Sequence, residues 1–196
     1  MNSLVKNIEK LKRSPVKKIV NSRLKEFKKK KTEKDLFSEL CFCIMTAGFN
    51  AKKSIEIQEK IGNGFVSLSE KELQKKLKEA GCRYHNRAEY IVKNRKYIHE
   101  LRGKPRDWLV KSIKGLGMKE ASHFLRNIGK CGCAIIDFHI IDILTRYRLI
   151  KRPKTLTPKE YLEIESILEK LAKKAHLNLA ELDLYLWFME TGKVLK

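Results

Sequence analysis

The sequence predicts an all-α fold, and three observations carry that reading. Apolar residues recur at three- and four-residue spacing through most of the chain. Helix-start signatures stand before several of those runs, as in Ser69-Glu70-Lys71-Glu72 and Thr157-Pro158-Lys159-Glu160. Only the short apolar run 134–137 reads as extended, and neither an internal repeat nor a low-complexity linker interrupts the pattern. At 196 residues, 42 % of them hydrophobic, the chain has enough material for one compact domain or two small lobes around a real core.

Taken in order, Leu4, Ile8 and Leu11, then Val16, Ile19, Val20, Leu24 and Phe27 give two helical stretches separated by Pro15. The run Lys28-Lys29-Lys30-Lys31 follows. It suits either a solvated helix end, where cations meet the negative end of the dipole, or contact with a nucleic-acid backbone. Residues 34–47 read as a mostly buried helix closed by Gly48, and 51–61 as a second, shorter one. Gly62-Asn63-Gly64 is a turn, and the Ser69 capping box opens a helix that ends near Gly81. A basic, aromatic loop, Cys82-Arg83-Tyr84-His85-Asn86-Arg87, leads to an amphipathic helix over 88–101. Helices over 107–113 and 118–128 flank Gly115-Leu116-Gly117, and a helix restarts over 139–149. The last two helices begin at Thr157 and near Leu179.

Charge narrows the function. Forty-four Lys and Arg against 23 Asp and Glu leave a net +21, a field that attracts a polyanion, nucleic acid first and an acidic membrane surface second. No apolar run reaches membrane-spanning length and the N-terminus has no signal-peptide core, so a soluble, intracellular, DNA-associated protein is expected. The five cysteines include two C-x-C pairs, which match neither a secreted disulfide framework nor C-x-x-C zinc spacing. Reduced, mostly buried cysteines are expected, with no metal ligated through them and no cofactor.

The chemistry converges on residues 113–121. Gly115 and Gly117 leave backbone N–H groups uncovered in a tight turn, and the helix behind them points its positive end the same way. Such a helix-hairpin-helix grips phosphate, and on its own it fits a non-catalytic DNA clamp as well as an enzyme. Lys119 shifts that balance. It occupies the first turn of the helix, where the dipole disfavours a cation and favours the free amine that a nucleophile requires. The helix from Met118 climbs about 15 Å at about 1.5 Å per residue, and an extended return from Gly132 covers about 17 Å at about 3.3 Å per residue. That return brings Asp137 back toward Lys119. Asp137 equally suits the N-cap of the helix after it, and the two roles are compatible. In the loop at 82–87, Tyr84 and Arg83 read either as a surface connection or as a wedge, a ring filling the gap left by an extruded base.

These residues resemble a known family. Gly-Leu-Gly-Met-Lys at 115–119 with Asp137-Phe138-His139 downstream is similar to the helix-hairpin-helix DNA glycosylase superfamily. Lys-Glu-Ala-Ser-His-Phe-Leu-Arg-Asn (119–127), Ala-Ile-Ile-Asp (134–137), Arg-Ala-Glu-Tyr-Ile-Val (87–92) and Leu-Asp-Leu-Tyr-Leu-Trp (182–187) resemble its type-2, archaeal-style 8-oxoguanine DNA glycosylase/lyases. The resemblance implies a single two-lobed domain over 1–196, with one helical lobe of about 1–30 plus 130–196. The other lobe, about 31–129, carries the hairpin at 107–128, and a cleft between the lobes holds the site. It implies a monomer acting on double-stranded DNA with an oxidised purine, and a base-excision repair enzyme with two activities. Lys119 would attack C1′ of the extruded nucleotide, expel the base and hold the sugar as a Schiff base, with β-elimination cutting 3′ of the lesion. Asp137 would assist the amine, His139 would touch phosphate, and Arg83 and Tyr84 would form the wedge.

Reading the base has its own requirement. Guanine N7 accepts a hydrogen bond, whereas 8-oxoguanine carries N7–H and donates one, so a discriminating site must present an acceptor. By the resemblance, the carboxylate of Lys196 supplies it and Trp187 stacks nearby; a core tryptophan and a frayed end are the alternatives. Three departures stand out. Phe138 occupies a position that is usually basic, and Gly48 one that is usually asparagine. The wedge loop is one residue shorter than usual, with Tyr84 rather than His85 assigned as its aromatic. A non-catalytic DNA-binding hairpin, or a glycosylase for another oxidised base, remain the alternative functions.

Overall fold

The computed structural model describes residues 1–82 and 84–196, and among them every regular element is helical. In chain order the helices are α1 (Asn2–Lys12), α2 (Val16–Lys28), α3 (Glu33–Thr46), α4 (Ala51–Ile61), α5 (Gly64–Ser67) and α6 (Glu70–Glu79). They continue with α7 (Asn86–Asn94), a 3-10 turn (Arg95–Tyr97), α8 (Arg106–Ser112), α9 (Met118–Asn127), α10 (Phe138–Arg146), α11 (Pro158–Lys174) and α12 (Leu179–Thr191). No helix of the described residues is long and apolar enough to cross a membrane.

The chain divides into two compact units, Met1–Lys29 with Leu125–Lys196, and Lys30–Phe124; the division falls inside α9. Within Lys30–Phe124, α3 is buried along most of its length, from Leu36 and Phe37 to Met45 and Thr46. Thr32 and Asp35 form a reciprocal capping box that starts α3. Three of the five cysteines, Cys41, Cys43 and Cys82, are buried, and burial pushes the Cys41 thiol well above its ordinary range.

Two elements of this unit differ from the sequence expectation. The single helix expected over 88–101 ends at Asn94 and tightens into the 3-10 turn. The cause lies in Asn94 itself, whose amide is committed to a distant backbone segment described below, and in Arg95. The Arg95 guanidinium donates to the carbonyls of Phe65 (2.9 Å) and Leu68 (2.6 Å), which also holds the unexpected one-turn helix α5 in place.

In the other unit α12 is the central element. Leu179, Ala180 and Leu182 through Leu186 are buried on all sides. Phe27, Val16 and Val20 from α2 pack with Leu184 and Tyr185, and Val194 joins the same cluster, fastening the chain beyond α12. Arg126 and Asp183 form a buried ion pair, and the same guanidinium donates to Asn127 Oδ1 and lies over the Phe27 ring. The segment 134–137 forms no strand among the described residues, and side chains of α11 engage three of its backbone groups. Glu165 accepts from Ala134 N–H (2.7 Å), and Tyr161 both accepts from Ile136 N–H (3.2 Å) and donates to the Ala134 carbonyl (2.7 Å). That frame delivers Asp137 to the start of α10.

Candidate active site

The hairpin is built from α8, the turn 113–117 and the first turns of α9. Ile113 and Leu116 are buried, and Leu116 N–H donates to the Ile113 carbonyl (3.3 Å), which closes the turn. Gly115 has φ +87°, and a Cβ there would stand 2.5 Å from the Tyr90 ring. Only glycine fits, on backbone and steric grounds together. Gly117 has no left-handed backbone; a Cβ there would meet Glu120 Oε2 at 3.2 Å. The two glycines therefore do different jobs.

Asn94 holds the turn from behind. Its Nδ2 donates to the Lys114 carbonyl (2.9 Å) and its Oδ1 accepts from Lys114 N–H (3.0 Å), with the side chain 1 % exposed. This buried amide fixes the peptide groups immediately before Gly115. Nothing in the local sequence pattern marks it; an asparagine where an amphipathic helix is expected to continue is the available signal.

Lys119 lies in the first turn of α9, with its side chain about one-fifth exposed and its Nζ 3.4 Å from Glu120 Oε1. The other oxygen of Glu120 accepts from Gly117 N–H at 3.3 Å. One carboxylate thus spans the turn and the amine, capping the helix start and pairing with the lysine. Sequence reasoning did not single out Glu120, although an acid at the third helical position is the usual capping signal.

Tyr84 is 44 % exposed, but it is not a loose wedge: its hydroxyl donates to the Gly48 carbonyl at 2.7 Å, and its ring meets Phe49 edge-on. The buried Arg87 guanidinium lies 5.0 Å from the Tyr84 ring centre and donates to the Ala47 carbonyl (2.6 Å). Gly48 takes φ +67° to present that carbonyl. Arg83 lies outside the described residues.

In the other unit, Asp137 is the N-cap of α10. Its backbone is extended and its Oδ1 accepts from Ile140 N–H at 3.0 Å. No hydrogen bond among the described residues engages Oδ2. His139 sits between two rings, 3.9 Å from Phe138 and 4.8 Å from Trp187, the latter edge-to-face. The Trp187 indole N–H is buried and has no hydrogen-bond partner among the described residues, and the same holds for Glu190 Oε2 one helical turn on. A desolvated donor of this kind is costly unless something completes it. Lys196 is half-buried, two residues beyond the anchored Val194. Asp137, His139 and Trp187 thus belong to one unit, and Gly115, Gly117, Lys119 and Tyr84 to the other.

The family model for 8-oxoguanine DNA glycosylase matches residues 20–177. The chain belongs to that family. It is 48 % identical over 207 residues to an 8-oxoguanine DNA glycosylase/AP lyase of Korarchaeum cryptofilum, covering all of this chain and 99 % of that one. A second such protein, from Methanocaldococcus jannaschii, is 49 % identical over 205 residues, with 98 % and 99 % covered. Among solved structures, the M. jannaschii 8-oxoguanine glycosylase/lyase in complex with a 15mer DNA containing 8-oxoguanine matches with a TM-score of 0.95 at 48 % identity, over 99 % of this chain and all of that one. The 8-oxoguanine DNA glycosylase of Thermotoga maritima matches at 0.94 and 43 % identity, over 100 % and 99 %. The expected all-helical glycosylase architecture therefore holds over nearly the full length.

Proposed function

We propose that this protein is a base-excision repair enzyme, an 8-oxoguanine DNA glycosylase and AP lyase that works through Lys119. The observation that carries the reading is the hairpin lysine: an amine in the first turn of α9, beside a glycine turn shaped for phosphate, in a chain nearly half identical to glycosylase/lyases end to end. The amine attacks C1′ of an extruded nucleotide, the glycosidic bond breaks and the base departs with the bonding electrons. Loss of an amine proton and breaking of the C1′–O4′ bond, with O4′ taking up a proton, open the sugar ring and leave a protonated imine between Nζ and C1′. Removal of a C2′ proton then expels the 3′ phosphate and cuts the strand.

Asp137 can hold its helix cap with Oδ1 while Oδ2 meets the positive charge that develops on the sugar, so the two roles foreseen for it coexist. Gly115 and Gly117 present the turn to the DNA backbone, His139 meets a phosphate, and Arg83 and Tyr84 fill the space of the extruded base. Trp187 stacks on the base, and Lys196 supplies the acceptor for N7–H. The protein acts on duplex DNA as a monomer.

Borohydride reduces such an imine to a stable amine. Wild-type protein is expected to crosslink to a duplex containing 8-oxoguanine and Lys119→Gln to give no crosslink. Binding without any wild-type crosslink would sink the enzymatic reading in favour of a clamp, and trapping on an oxidised pyrimidine instead would move the substrate.

A further inference from the structure

Five phenylalanines of this chain, Phe27, Phe37, Phe42, Phe65 and Phe124, are buried in its cores, whereas Phe138 is 65 % exposed. Single exposed apolar residues are ordinary on a protein surface, and Ile19 and Leu162 are two such. Phe138 differs in three respects. Its ring is held rather than loose, 3.9 Å from the His139 ring, and His139 in turn meets Trp187, so the three aromatics form one row. It is the first residue of α10, directly after Asp137, whose carboxylate fixes the start of that helix. And it sits in a chain of net charge +21, where a bulky apolar ring beside Asp137 is an unusual choice unless the ligand itself offers an aromatic face.

We propose that the open face of Phe138 stacks on a nucleobase of the bound duplex, next to the extruded one, and so holds the distorted strand in register. The inference rests on the glycosylase reading, because that reading is what brings a duplex to Asp137. The occupant is a base rather than a phosphate, since a phenyl ring has no donor for an anion, and rather than a lipid or protein, since the surrounding charge and the neighbouring His139 suit DNA. Every base presents a π-face, so the contact adds affinity without sequence preference.

The test uses Lys119→Gln protein, which leaves the duplex intact, with and without Phe138→Ala, Phe138→Leu or Phe138→Trp. The duplex carries 8-oxoguanine and, in separate preparations, 2-aminopurine on its 5′ side, on its 3′ side or opposite it. Phe138→Ala is expected to weaken binding about tenfold, Phe138→Trp to restore it and Phe138→Leu to leave it weak. One of the three 2-aminopurine positions is expected to be quenched by the Phe and Trp proteins and not by the Ala and Leu proteins. Affinity within twofold for Phe138→Ala, full rescue by Phe138→Leu, or emission indifferent to residue 138 at all three positions would overturn the stacking role. Failure of the wild-type borohydride crosslink would overturn the glycosylase reading instead, and the binding and emission data would still decide whether Phe138 touches a base.

Discussion

The hairpin of one unit and the α10–α12 surface of the other solve opposite problems. At the turn of the hairpin, the polar groups of Asn94 and Glu120 are committed. Asn94 uses donor and acceptor on Lys114, Glu120 spans Gly117 N–H and Lys119, and Tyr90 closes against Gly115. Around α10 and α12, capacity is left over: Asp137 Oδ2, the Trp187 N–H and Glu190 Oε2 have no hydrogen bond among the described residues, and Phe138 stands open. A group that must aim a nucleophile profits from a backbone with one conformation. A surface that must recognise an incoming base profits from faces that only the ligand completes. Rigidity sits with the amine, and unspent recognition sits with the aromatic row.

That contrast can be broken from either side. The largest effect is expected for Asp137→Asn. Asparagine caps a helix about as well as aspartate, so thermal stability should barely move, while trapping on 8-oxoguanine DNA should slow by about 10²–10⁴-fold through loss of the charged partner. Equal losses of stability and activity would reduce Asp137 to a cap. Gly115→Ala comes next. A non-glycine residue in the left-handed region costs about 1–2 kcal/mol and overpacking against Tyr90 adds about 1–3 kcal/mol, readable as a lower urea midpoint together with weaker DNA binding.

Asn94→Ala should cost about 1–3 kcal/mol, because it leaves both the N–H and the carbonyl of Lys114 without their buried partner. Single-turnover trapping should slow with it, whereas indole fluorescence from Trp187 should be unchanged in the folded protein. A variant that folds normally and traps at the wild-type rate would show that the clamp does not aim Lys119. Smallest is the cap of α11: Thr157→Ala should cost about 1 kcal/mol in a denaturant titration and leave trapping untouched.

The same capping boxes set an acid limit. Hydrogen bonds from the Thr32, Ser69 and Thr157 side chains, and then from their backbone N–H groups, hold Asp35, Glu72 and Glu160 below their ordinary values of 3.8, 4.5 and 4.5. A carboxylate lowered on folding stabilises above its unfolded pKa and loses that contribution as pH falls through the folded one. Stability should therefore hold above about pH 5 and decline below it, and replacing Thr157 should flatten part of that decline.

Local signals made much of this molecule legible. The Ser69 and Thr157 boxes, Pro15 and the Gly-Leu-Gly turn act over a few residues, and α2, α6, α9 and α11 begin where those signals put them. The break at Asn94 was not legible, because its cause is a carbonyl and an N–H twenty residues away. Nor was the tether of Tyr84, whose partner Gly48 lies thirty-six residues back. At the site, residue types and spacing named the turn and Lys119, while the groups that hold them, Asn94, Tyr90 and Glu120, emerged only from packing.

The central claim is that the amine of Lys119 becomes bonded to C1′. Peptide mapping of the borohydride-trapped wild-type complex by mass spectrometry tests it most directly. The adduct is expected on the tryptic peptide that contains Lys119, with cleavage blocked at that residue. An adduct on any other residue would contradict the account.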